Sequence, residues 1–122
     1  MISFLLFLSC KKDKAVEVVK VDDNGSTGLS YCDTVTVSFV NTIKPIFIQN
    51  CATSGCHNSA SASNGYIFED YAQISDSLTF NRVMKAVKHE PSVSSMPKFQ
   101  AKLNDSLIQQ LECWMNQGRQ NN

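Results

Sequence analysis

Three reactive side chains sit on one short loop: Cys51-Ala52-Thr53-Ser54-Gly55-Cys56-His57. Two thiols lie close together and an imidazole follows the second directly. Thiols at this separation can join to each other, share a metal ion, or act as nucleophiles toward a bound group. Each outcome asks for a different neighbourhood, so the rest of the chain is read against this loop.

The order cysteine, cysteine, histidine has a specific chemical use. Two cysteine thiols can add across the two vinyl groups of haem, and the adjacent histidine then ligates the iron. The usual spacing is Cys-x-x-Cys-His. Here four residues stand between Cys51 and Cys56, so the loop is a longer variant. Gly55 can take backbone angles closed to other residues, which lets a longer loop bulge while Cys56 still reaches the second vinyl. Two other readings stay open at this point. One is structural zinc held by Cys51, Cys56 and His57 with His89 as a fourth ligand, although neighbouring side chains rarely converge on one tetrahedral ion. The other is a disulfide between Cys51 and Cys56.

A chain of 122 residues holds one domain at most, with room for a tail. Seven Phe, three Tyr and one Trp supply core material, yet a domain this small gains from a prosthetic group or a disulfide. A formal net charge of zero argues against a nucleic-acid partner, which normally calls for a basic excess.

Residues 1–9 read as a signal-like segment. Ile2 to Leu8 is apolar except for Ser3 and far too short to span a bilayer. Ser9-Cys10-Lys11-Lys12 follows at once. A small residue before a cysteine at the end of such a run resembles the cleavage site of bacterial lipoprotein precursors. That resemblance implies an acylated Cys10, anchorage to a membrane, and a place in the periplasm or at the cell surface. Residues 10–34 are expected to form a tether, charged at first, then Val-rich over Ala15 to Val21, then polar and glycine-rich over Asp22 to Gly28. Tyr31-Cys32-Asp33 opens the folded part, and residues 35–122 form the domain.

Val35, Val37 and Phe39 alternate with Thr36 and Ser38, a weak extended signal. A helix capped by Asn41 or Thr42 would put Pro45 in its first turn, where a missing N–H does no harm. Its face Ile43, Ile46, Phe47 and Asn50 delivers Cys51. Asn58 to Gly65 reads as loop, and Tyr66-Ile67-Phe68 suits a pocket wall. Tyr71 and Ile74 share one helical turn. Asp76 or Ser77 caps a helix running to about His89, with Phe80, Val83, Met84 and Val87 on its apolar side and Pro91 ending it. Met84 reads as core and His89 as a solvated helix end. Met96 stands in a loop directly before Pro97, where a methionine has little structural use and a thioether ligand role is attractive. Asn104 caps a final helix to about Gln117, with the stripe Leu107, Ile108, Leu111, Trp114 and Met115, and Gly118 stops it.

The succession of short helix, Cys-x(4)-Cys-His, loops and helix, Met-Pro, and closing helix with Trp resembles the class I cytochrome c family over roughly residues 38–118. Asn50 to His57 is similar to the Asn-Cys-Ala-x-x-Gly-Cys-His motif of small haem domains in bacterial lipoproteins. The resemblance implies an all-α fold of three to five helices around one covalent haem c, with the first and last helices crossing; Phe47 and Trp114 are the candidates for that contact. It implies thioether attachment at Cys51 and Cys56, with iron held by His57 and Met96. Should the crossing bring the domain's ends together, Cys32 and Cys113 can form a disulfide. The function implied is electron transfer without substrate chemistry, by a monomer serving redox protein partners. A haem sensor or catalytic domain with an open iron site, and a haem-free zinc- or disulfide-stapled binding module, are the alternatives. Arg82, Lys85, Lys88, Lys98 and Lys102, against Glu90 alone, give a local basic excess around Met96 that can steer an acidic partner.

Overall fold

In the computed structural model, which describes residues 30–122, the first element is a single helical turn, α1 (Tyr31–Thr34). It is closed by reciprocal hydrogen bonds between Ser30 and Asp33. The expected acylation site Cys10, the signal-like segment, the Val-rich run and most of the expected tether lie outside the described residues. Residues 35–38 run extended but pair with no strand, and the described residues are all-α.

The next helical run opens at Ser38, not at Asn41 or Thr42. The Ser38 side chain accepts from the Asn41 N–H. The run starts as a π-helical turn, Phe39–Ile43, and continues as α2 (Lys44–Asn50). An ordinary α-helical start here would drive the Pro45 ring against the carbonyl four residues back. The wider turn, whose N–H groups reach back five residues from Ile43 to Ser38 and from Lys44 to Phe39, relieves that conflict. The expected inner face holds: Ile43, Ile46 and Phe47 are buried, and the half-buried Asn50 amide donates to the Ile46 carbonyl.

Helix α3 (Tyr71–Ser75) is set by a capping box between Asp70 and Gln73. Asp76 then caps α4 (Ser77–Val87), accepting from the Thr79 N–H at 2.8 Å. Its buried side is Phe80, Met84, Ala86 and Val87, so Met84 is core. The helix stops two residues short of His89, which takes a left-handed φ of 59°. Asn104 caps α5 (Asp105–Asn116) through the Leu107 N–H, and Gly118, at φ 86°, turns the chain away.

The last helix meets the first long run at its π turn. Trp114 is sealed, with its ring 5.6 Å from Phe39 and 5.3 Å from Phe80. Phe47 packs instead on Phe68 and Phe80, at 5.4 and 6.3 Å. The direct Phe47–Trp114 pairing is therefore corrected: Phe80, arriving from α4, stands between the two rings. A disulfide joins Cys32 to Cys113, stapling α1 to α5 across a separation of 81 residues. Gln117 reinforces it, donating to the Cys32 and Val35 carbonyls and accepting from the Val37 N–H. Asn122 accepts from the Phe39 and Val40 N–H groups at the start of the π turn.

Candidate functional site

Helix α2 ends at Asn50 and hands the chain to the reactive loop. The Cys51 N–H still donates to Phe47, and the His57 N–H returns to the Cys51 carbonyl at 3.0 Å, closing the loop on itself. The intervening residues bulge outward through Gly55 at φ 78°, whose N–H donates to Ser61 Oγ. This is how the four-residue spacing is absorbed. The thiols of Cys51 and Cys56 are free, so they are not bridged to each other. Cys51 is partly buried and Cys56 exposed. Burial, with a smaller contribution from the nearby Cys56 sulfur, pushes the Cys51 thiol up from 9.0 to about 12.

His57 is the buried polar side chain of the core, 9% exposed. Its Nδ1 lies 3.2 Å from the Tyr66 carbonyl oxygen, which can only accept, so this nitrogen carries the proton. Nε2 has no partner among the described residues. The ring rests on Phe68 at 5.0 Å, and the Phe68 N–H donates to the His57 carbonyl at 2.8 Å. The expected wall Tyr66–Phe68 is therefore what seats the histidine.

Two adjoining cavities, of about 420 and 320 Å³, share His57, Phe68, Val83, Ala86 and Met96 in their lining. The smaller one also reaches Cys51 and Cys56. The larger one extends past Tyr66 to Thr79 and Arg82. All four residues singled out from sequence thus meet on one cavity system, although Met96 is 39 positions from His57. Met96 is half-buried, not exposed, and its peptide bond to Pro97 is cis. The site presents an imidazole with one ring nitrogen free, a thioether and two free thiols, set in largely apolar walls.

His89 does not join the cysteines. Its Nε2 lies 3.2 Å from the Met96 carbonyl oxygen, and among the described residues no three His, Cys, Asp or Glu side chains cluster as a metal site. His89, the fourth ligand of the zinc reading, faces the Met96 carbonyl. The basic excess is also smaller than the sequence count. Lys88 pairs with Glu112 at 2.5 Å and Lys102 with Asp105 at 2.7 Å, both acids supplied by α5. Arg82 and Lys98 remain at the cavity lining.

Sequence reasoning missed the residues that hold the site's donors. The Tyr66 carbonyl carries no sequence signal. His89 was visible but read as solvated. Phe99, 98% exposed beside the smaller cavity with Lys98 over its ring, was not singled out. Comparison of the chain with protein-family models, with curated proteins and with solved structures gives no match.

Proposed function

We propose that this chain is an electron carrier of the c-type cytochrome kind, holding one covalent haem and working outside the cytoplasm. The observation that carries the reading is the convergence of Cys51, Cys56, His57 and Met96 on one largely apolar cavity system. Cavities of several hundred Å³ suit a small-molecule cofactor, and the donor set fits a haem: two thiols free to react, an imidazole nitrogen without a protein partner, and a thioether.

Cys51 and Cys56 would hold the group by thioether bonds, each thiol giving its sulfur and its hydrogen across one vinyl, so attachment would consume no oxidant. His57 would hold the iron through Nε2. The Tyr66 carbonyl fixes the tautomer and ring orientation and makes Nε2 a better donor. Met96 would supply a thioether to the iron, a donor that favours the reduced form. Phe68, Val83 and Ala86 exclude water, which disfavours the extra positive charge of the oxidised form. When bound, the haem supplies a reversible one-electron change at iron. With His57 and Met96 both engaged, the iron would be closed to a substrate, and the chemistry supplied would be electron transfer. Arg82 and Lys98 face the approach to the cavity and would steer an acidic redox partner.

Acid-acetone extraction followed by a pyridine haemochrome spectrum tests the reading on protein matured with haem-attachment machinery. The expected result is haem that stays with the polypeptide, and a visible spectrum changed by His57→Ala. A colourless mature protein, or a spectrum untouched by His57→Ala, would overturn it. Electron transfer to an acidic partner is expected to slow steeply as salt rises; a flat response would remove the docking role of Arg82 and Lys98.

A further inference from the structure

The geometry points to His89 as the positioning residue for Met96: its imidazole clamps the methionine loop to the end of α4 and so presents the thioether to the cavity. This inference rests on the ligand role of Met96 proposed above.

The Met96 backbone is held on both sides. Its N–H donates to the Ala86 carbonyl at 3.0 Å, and its carbonyl accepts from His89 Nε2 at 3.2 Å. Because a carbonyl cannot donate, the imidazole carries its proton on Nε2. Both anchors come from the last turn of α4 and the residues just after it. Ala86 is itself a cavity-lining residue, 8% exposed, so the loop is tied to the cavity wall. The loop has little else to hold it: Ser94, Ser95, Lys98 and Phe99 are exposed, and Met96 and Pro97 are only half-buried. With so few apolar contacts, its order depends on these two hydrogen bonds.

The backbone at His89 fits this task. Its φ of 59° is a left-handed value that costs a side chain with a Cβ. The His89 N–H donates to the same Ala86 carbonyl at 3.1 Å, so one carbonyl gathers both the histidine and the methionine. Glycine would take this turn with less strain. A residue kept only to end the helix has no need of an imidazole; the bond to Met96 gives it one.

His89→Gly and His89→Gln separate the two roles. Glycine keeps the turn and removes the donor; glutamine restores an Nε2–H donor at similar reach. In the haem-loaded protein, covalent haem content is measured first, by pyridine haemochrome. The far-red charge-transfer band of a methionine–iron(III) bond and carbon monoxide binding by the ferrous form then report on the thioether. In His89→Gly the expected result is full haem content, loss of most of the far-red band, carbon monoxide binding and a lowered midpoint potential, with His89→Gln recovering the parent spectrum. In the haem-free chain, amide exchange at Met96 is expected to quicken about tenfold in His89→Gly, the equivalent of one ordinary hydrogen bond. Full haem content with an unaltered far-red band and unaltered exchange overturns the positioning role and leaves the haem reading standing. A parent protein without haem overturns both. A glutamine variant that loses the far-red band as the glycine one does shows that a donor at this position is not what holds Met96, and also overturns the role.

Discussion

Cys51 and Cys56 have the same chemistry in sequence and different chemistry in place. Burial holds Cys51 as a neutral thiol, pushed up to about 12, while Cys56 stands in solvent. At pH 8 the thiolate fraction of Cys51 falls about a thousandfold below that of a thiol at 9.0. Iodoacetamide applied to the haem-free folded chain should label Cys56 first and Cys51 only after long exposure, as read by peptide mapping. Equal rates would contradict the burial. The same shift sets a pH dependence. The folded-state value is raised, so the contribution of Cys51 to stability is complete below pH 9 and is lost as pH climbs toward 12. Urea midpoints of the haem-free chain should fall over that interval, and Cys51→Ala should flatten the fall. On the proposed haem reading, Met96→Ala is expected to keep covalent haem, open the ferrous form to carbon monoxide and lower the midpoint potential. An unchanged potential would remove Met96 from the ligand set.

Helix boundaries come largely from local caps, which makes them accessible to substitution. Asn104→Ala removes the acceptor for the Leu107 N–H and should cost about 1 kcal/mol, measured by urea unfolding. Asp76 caps α4 with a carboxylate held below its usual 3.8, first by the Thr79 backbone N–H. Its stabilisation is present above that value and drains away as pH falls below it. Asp76→Asn, which keeps an oxygen acceptor but no charge, should show a flatter acid limb in thermal melts; an identical limb would place the acid sensitivity elsewhere. Asn104 and Asp76 were both readable because a cap and its target are three residues apart. The Ser38 start was not. It depends on a π turn that accommodates Pro45 while Asn122, 83 residues along the chain, accepts from the Phe39 N–H.

Across the whole domain, the two ends of the described chain are fastened together by covalent and hydrogen bonds. Closing a loop of 81 residues is worth about 4.5 kcal/mol in the chain-entropy picture. Reduction with dithiothreitol, or Cys32→Ala with Cys113→Ala, should lower the unfolding midpoint accordingly while leaving helical circular dichroism intact. A midpoint unmoved by reduction would mean that the ends hold without the staple. Removing the central ring should cost as much again: Trp114→Ala opens a void among Phe39, Tyr71 and Phe80, and deletions of this kind cost about 3–5 kcal/mol. The basic surface belongs to this scale too. Two of the five cations counted along the chain are matched by acids on α5: Lys102 meets Asp105 three residues on, whereas the Lys88–Glu112 pair is displayed only by the packed molecule.

The helices at 71–75, 77–87 and 105–116 and the reactive loop at Cys51–His57 were legible in the chain because their signals are local. Apolar spacing of three and four, a cap three residues before its target and a glycine at a left-handed turn all act over a few bonds. Which ring lies against Trp114, how the bulged loop sets one thiol inside and the other in solvent, and what grips Met96 were not legible. Those depend on contacts between residues tens of positions apart, where close packing selects one partner among many that are chemically equivalent in sequence.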